Sequence, residues 1–196
     1  IKVGGGVDRR KREIGDEGEQ WALAAVVRDL MELDDAGRDA AMGEVVALLE
    51  RRFEGAPVHA ALAHAARARA RDLDDEERID ELSGLLHVSR HSDAFGFDLI
   101  GWIPPGPSRE GRAVCLEVKS SGGEGFHLSR NEWSVAEKLR GEGAGDRYAV
   151  LVVRRAKGGG VPAAMDLLAD PVTLVEAGLL RSEADGYQIA YRAGGS

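Results

Sequence analysis

The hydrophobic period of this chain changes once, just after Leu86. Before that point apolar residues recur at the 3.6-residue spacing of helices. Beyond it they alternate or run unbroken, which marks the passage from helices to a sheet. In the first half, Ile14 to Leu33 carries Trp21, Leu23, Ala24, Val27, Leu30 and Met31 on one stripe, with Gly15 and Asp16 opening the helix. Ala36 to Phe53 repeats the pattern through Met42, Val45, Val46, Leu48 and Leu49. Gly55 and Pro57 break the chain, Ala60 to Leu73 is helical by its alanine content, and Asp74 to Leu86 opens on acids suited to a helix N-terminus.

The second half reads as strands around one amphipathic helix. His87 to Arg90 is expected as a short strand and Phe95 to Ile103 as a second. Pro104 to Gly111 turns the chain back into a third, Arg112 to Ser120, and these last two form a hairpin. Ser129 to Arg140 is a helix with Trp133, Ala136 and Leu139 on one side, capped by Ser129 or Asn131. The run RYAVLVVRR, 147 to 155, suits a strand covered on both faces. A helix near Ala163 to Leu168, a turn or short helix after Pro171, and a closing pair near Leu179 to Arg181 and Tyr187 to Tyr191 complete the reading. The glycines at 4–6, 158–160 and 194–195 read as flexible loops or ends; with no Lys-Ser/Thr following, they are not phosphate-binding loops.

Length and composition bound the function. A chain of 196 residues suits a single domain, 1–196, and no apolar run approaches the roughly 20 residues that cross a bilayer. The first ten residues, IKVGGGVDRR, look like a fragment boundary, with 1–13 a flexible segment. With Cys115 the only cysteine, neither an internal disulfide nor a cysteine-built metal site can form, and a reducing cytoplasm fits. The net charge of −8 argues against a globally basic grip on nucleic acid, which needs many cations aimed at phosphates. Basic runs remain at Arg9 to Arg12, at Arg67, Arg69 and Arg71, and at Arg154, Arg155 and Lys157; each reads first as a solvated face.

Chemistry concentrates in AVCLEVKSSG, residues 113–122. Strand alternation puts Cys115, Glu117 and Lys119 on one face and Val114, Leu116 and Val118 on the other. Burying a carboxylate and an ammonium there is costly unless each has a partner. The preceding strand offers Asp98, an acid between Phe97 and Leu99. Two acids and a lysine on neighbouring strands could set two oxygen ligands around Mg²⁺ or Mn²⁺ with an amine alongside. A structural salt bridge among Asp98, Glu117 and Lys119 is the rival reading. The chain uses 21 Arg against 5 Lys, so an amine at 119 is not its default cation, and an amine can lose its proton where a guanidinium cannot.

Several short motifs occur in order: Gly18-Glu19, His87-Val88-Ser89, Gly96-Phe97-Asp98-Leu99, Leu116 to Ser121, Phe126 to Ser129, Asn131-Glu132-Trp133, and a Tyr-x-Val-x-x-Val strand at 148–153. Together they resemble the NO VEIN C-terminal domain family of the PD-(D/E)xK nuclease-like superfamily, over roughly residues 14 to 30 and 86 to 155. Residues 34–84 stand where that family has a short connection and read as a helical insertion after the first helix. The last 40 residues carry no motif of the family.

The resemblance implies an α/β fold, the restriction endonuclease-like mixed β-sheet flanked by helices, with the active site at one sheet edge. It implies that Asp98 and Glu117 ligate Mg²⁺ or Mn²⁺ through their side chains and Val118 through its carbonyl. Lys119 would orient or deprotonate the attacking water. Glu19 matches an extra acid of the metal shell, with Glu17 as fallback, although about 200° separates the two around a helix. The implied activity is metal-dependent endonucleolytic hydrolysis of DNA, as the cleavage module of a bacterial restriction or defence protein, with a recognition or ATPase/helicase domain or subunit supplying the target. A homodimer would serve a double-strand break. The alternative keeps the fold without the chemistry, to bind nucleic acid or a partner protein; a third reading docks a partner on the Met42, Val45 and Leu49 stripe.

Other residues read plainly. Trp133 belongs to the core; Asn131 and Glu132 could approach the metal or DNA; His87, His91 and His127 flank the site as ordinary histidines; His59 and His64 are poorly spaced for a metal. Ser120 to Gly123 make a small turn beyond Lys119.

Overall fold

The helical half forms α1 (Gly5–Met31), α2 (Asp35–Arg52), α3 (Ala56–Ala68) and α4 (Asp75–Leu86). The computed structural model describes residues 5–105, 110–121, 125–155, 162–183 and 188–191. Local chemistry sets the joints. Asp34 caps α2 by accepting from Gly37 N at 2.7 Å, while the Arg38 guanidinium donates to the Leu30, Met31 and Leu33 carbonyls left open at the end of α1. Asp74 and Glu77 form a capping box on α4. Arg78 closes the preceding turn by donating to the Ala68 and Leu73 carbonyls.

Two helix boundaries differ from expectation. Helix α1 starts at Gly5, so residues 5–13, expected to be flexible, continue the helix. Gly55 and Pro57 open α3 rather than separate it from the chain: Gly55 takes the cap at φ 94°, and proline sits in the first turn, where its missing N–H leaves no bond unmade.

The second half contains β1 (Leu99–Ile103), β2 (Arg112–Ser121), β3 (Gly125–His127), α5 (Arg130–Gly141), β4 (Tyr148–Arg155), β5 (Pro162–Ala169), α6 (Pro171–Glu176), β6 (Leu180–Glu183) and β7 (Gln188–Tyr191). The main sheet has the order β1-β2-β4-β5. Strands β2 and β4 are parallel and the other neighbours antiparallel, so the sheet is mixed. The β2–β4 connection is the long crossover that a parallel pair requires, and it contains α5. A smaller sheet, β3-β7-β6, closes the fold through the expected terminal pair.

Two expected elements change type. The expected strand at 87–90 is instead a 3₁₀ turn at Val88–Arg90, followed by another at Asp93–Phe95, and β1 begins only at Leu99. The cause is Gly96, whose φ of 70° ends the second turn, and the return of Ser89, whose N–H donates to the Asp98 carbonyl. The segment near Ala163 to Leu168, rich in helix formers, is strand β5, because pairing along the open edge of β4 outweighs its propensity. The turn at 122–123 and the glycines at 158–160 and 194–195 lie outside the described residues.

Residues Tyr148 to Val153 of β4 are all buried, as its unbroken apolar run requires. Trp133 is buried in the same core. Met42, Val45 and Leu49 are at most 1% exposed, so the stripe considered for partner docking is interior packing. Among the described residues no helix is long and apolar enough to cross a membrane.

Candidate active site

Asp98 stands where the β1–β2 hairpin changes from backbone to side-chain pairing. Its N–H donates to the Leu116 carbonyl at 3.0 Å, and its carboxylate Oδ2 accepts the Val118 N–H at 2.8 Å. Leu99 pairs with Leu116 one step along, so Asp98 and Glu117 meet at the same level of the sheet. Glu117 is only 3% exposed, and it and His87 are the buried polar or charged residues among those described. Lys119 follows on the same face, its Nζ 2.6 Å from Glu117 Oε1 and 3.1 Å from Glu132 Oε2.

Two helices complete the surroundings. Ser129 and Glu132 form a capping box at the start of α5, Glu132 Oε2 accepting the Ser129 N–H at 2.7 Å. The cap fixes Glu132 where it also receives Lys119. Asn131 instead donates to the Asp93 carbonyl at 3.2 Å, which ties the 3₁₀ segment to α5. On the Ser120 face of β2, α1 approaches so closely that a Cβ on Gly18 would stand 2.0 Å from Ser120 Oγ. That approach brings up Glu19, the next residue, whose Oε2 lies 3.2 Å from His87 Nε2.

The electrostatics follow from burial. Asp98 is pushed up to about 6, first by desolvation, then by the neighbouring Glu19 carboxylate. Desolvation and the Asp98 carboxylate push Glu117 up to about 9. Burial pulls Lys119 down, but Glu117 and Glu132 together outweigh it and hold the ammonium above its ordinary range. The cluster thus sets four acids, Glu19, Asp98, Glu117 and Glu132, around the single ammonium of Lys119, and burial favours the protonated forms of Asp98 and Glu117. A cavity of about 320 Å³ opens onto it, lined by Ser89, Asp98, Glu117, Ser129, Asn131 and Glu132.

Sequence reasoning groups Asp98, Glu117, Lys119 and Glu19, and these four are neighbours, with Asp98 between the Glu19–His87 pair and the Glu117–Lys119 pair. Val118, expected to offer its carbonyl, has its N–H committed to Asp98. Glu17 points elsewhere, pairing with Arg155 at 2.8 Å. His91 Nε2 lies 2.8 Å from the Gly84 carbonyl, His64 pairs with Glu81, and His59 and His127 are exposed. The full role of Glu132 escapes the sequence reading, although Ser129-x-x-Glu132 carries the capping-box signature. So does that of Tyr148: its buried hydroxyl donates to the Gly96 carbonyl at 3.0 Å and pins the segment leading into Asp98.

The donor set fits a hard divalent cation: buried carboxylate oxygens of one sign, whose charge a cation would neutralise. Among the described residues no three acids, histidines or cysteines converge into a ready metal cage. Mg²⁺ is ordinarily held by one or two carboxylates plus water and substrate phosphate, an arrangement two acids can begin. In searches of protein-family models, curated proteins and solved structures, nothing matches the chain.

Proposed function

We propose that the protein is a metal-dependent endonuclease domain that hydrolyses DNA phosphodiester bonds, built on a restriction endonuclease-like sheet. One observation carries the reading: Asp98 and Glu117 meet at one open cavity, with Lys119 bonded to Glu117 and to Glu132 beside them. The mixed sheet, with its β1–β2 hairpin and parallel β4 reached through α5, supports the same reading. So do the ordered motifs, which resemble those of the NO VEIN C-terminal domain family.

Asp98 and Glu117 would hold Mg²⁺ or Mn²⁺, with Glu19 beside Asp98 as the further acid. When bound, the ion supplies charge neutralisation at the phosphate and acidifies a coordinated water. Lys119 is held protonated by Glu117 and Glu132, which suits it to orient the attacking water and steady charge on the phosphate more than to remove a proton. Glu132 keeps that ammonium at the cavity, and Tyr148 and Asn131 hold the segment that delivers Asp98. The protein would work in the cytoplasm as the cleavage module of a bacterial defence protein, alone or as a homodimer, with a recognition or ATPase/helicase partner choosing the DNA.

The test is nicking of supercoiled plasmid in Mg²⁺ or Mn²⁺ by the wild type beside Asp98→Asn. Nicking lost in the variant supports the reading; no cleavage in either metal, together with no ion bound in a titration, would return the domain to a binding role.

A further inference from the structure

A second cavity, of about 440 Å³, uses other residues of the same 92–97 segment and is lined by Arg51, Arg52, Phe53, Glu54, Phe95 and Lys138. Its cations come from distant parts of the chain: Arg51 and Arg52 from the last turn of α2, Lys138 from α5. Basic residues at the end of a helix ordinarily complement its dipole, which accounts for Arg51 and Arg52 on their own. It does not account for Lys138 converging on the same hollow from another helix. Arg52 is paired with Glu142. Arg51 and Lys138 have no ion-pair partner among the described residues, and both are exposed.

Of the basic runs visible in the sequence, Arg67 pairs with Glu81, Arg154 with Asp166 and Arg155 with Glu17, while Arg69 and Arg71 line a separate cavity beside Asp35 and Asp39. The side chains of 9–12 and Lys157 lie outside the described residues.

Position relative to the acidic cluster gives the cavity its meaning. Ser92, Ala94 and Phe95 line the basic cavity, while Asp93, Gly96 and Phe97, from the same segment, line the acidic one. Helix α5 also serves both, with Glu132 at one and Lys138 at the other. Six residues of helix separate these two by about 9 Å along its axis. Resting on the nuclease reading above, we infer that this cavity is the DNA-strand subsite of the domain. Arg51 and Lys138 take backbone phosphates beside the bond that is cut, over an apolar floor of Phe53 and Phe95. The helical insertion, which supplies Arg51 and Phe53, thereby gives an acidic chain its local cationic contact with substrate.

The experiment is binding of a fluorescein-labelled DNA duplex by anisotropy, in EDTA so that cleavage plays no part, across a salt series. The variant is Arg51→Gln/Lys138→Gln, and an equal charge change on exposed residues elsewhere, Arg69→Gln/Arg71→Gln, is the control. Thermal melts verify that both fold. The cavity variant is expected to bind about tenfold or more weaker, with the slope of log affinity against log salt shallower by about 2, the control staying near wild type. Wild-type binding in the cavity variant, a loss no larger than the control's, or no binding by the wild type overturns the subsite. A protein that binds through these residues and never cuts would sink the nuclease reading and keep the subsite; one that cuts undiminished without them would do the reverse.

Discussion

Lys119 Nζ lies 2.6 Å from Glu117 Oε1, two residues away on one face of β2, so the ammonium stands where a metal cation would be drawn. A metal held as proposed would compete with the amine for Glu117, and Lys119 would yield toward Glu132. Lys119→Met is expected to bind Mn²⁺ at least as tightly as the wild type while losing about 10³-fold in cleavage, the scale for removing one preorganised charge-stabilising group. A calorimetric titration beside a nicking assay reads both; cleavage within tenfold of wild type would remove Lys119 from the chemistry.

The raised acids predict a pH dependence with a definite sign. Asp98 moves from 3.8 to about 6 and Glu117 from 4.5 to about 9. Between the lower and upper values the folded protein keeps protons that the unfolded chain has lost, so these groups make the metal-free protein less stable as pH rises. Lys119, held above its ordinary range, stays protonated through this window and leaves the sign unchanged. A metal bound as proposed would have to displace those protons, so its binding would tighten with pH. At equal free Mn²⁺, the rise in Tm should be several degrees larger at pH 8.5 than at pH 5.5, and Asp98→Asn/Glu117→Gln should flatten the difference. An equal rise at both values would mean the carboxylates do not receive the ion.

What is legible in the sequence divides along physical lines. Helices α2, α4 and α5 and strands β2 and β4 are written in periodicity and caps, because their apolar faces meet the core wherever neighbours lie. Segment 87–98 is not, since its form depends on Gly96 at φ 70° and on the Tyr148 hydroxyl arriving from β4, neither of which leaves a periodic trace. Strand β5 is hidden for a related reason: Ala164, Met165 and Leu167 prefer a helix, and only the edge of β4 makes them a strand. Asp98, Glu117 and Lys119 stand out because charges inside apolar strands are costly. The cationic cavity does not, because Arg51 and Lys138 come together only in the fold.

Gly18 sets how close α1 comes to the sheet. A methyl group there meets Ser120 Oγ at 2.0 Å, and that hydroxyl is held by its bond to the Ile14 carbonyl at 3.1 Å. Gly18→Ala is expected to cost about 1–3 kcal/mol and to reduce cleavage by shifting Glu19. Ser120→Ala alone should cost about 1 kcal/mol for the lost bond. The double variant should be no less stable than Ser120→Ala, since the remaining Ser120 Cβ is 3.4 Å away, within ordinary contact. Urea unfolding of the three proteins measures the coupling, and strictly additive losses would mean the helix is not held off by this contact.

Tyr148 links β4 to the segment that presents Asp98. Its hydroxyl is buried, and desolvation, the largest influence on it, raises its ionisation well above the usual range, so it remains a donor to the Gly96 carbonyl at any working pH. Tyr148→Phe keeps the ring in the core and removes only that bond, leaving a carbonyl without its partner, at an expected cost of about 1–3 kcal/mol. Because Gly96 is two residues from Asp98, the variant should also weaken Mn²⁺ binding, whereas a packing change of similar cost remote from the segment, Val58→Ala in α3, should leave it unchanged. If both variants lose stability equally and bind the ion equally well, the hydroxyl supports the fold alone and Asp98 is positioned by its bond to Val118.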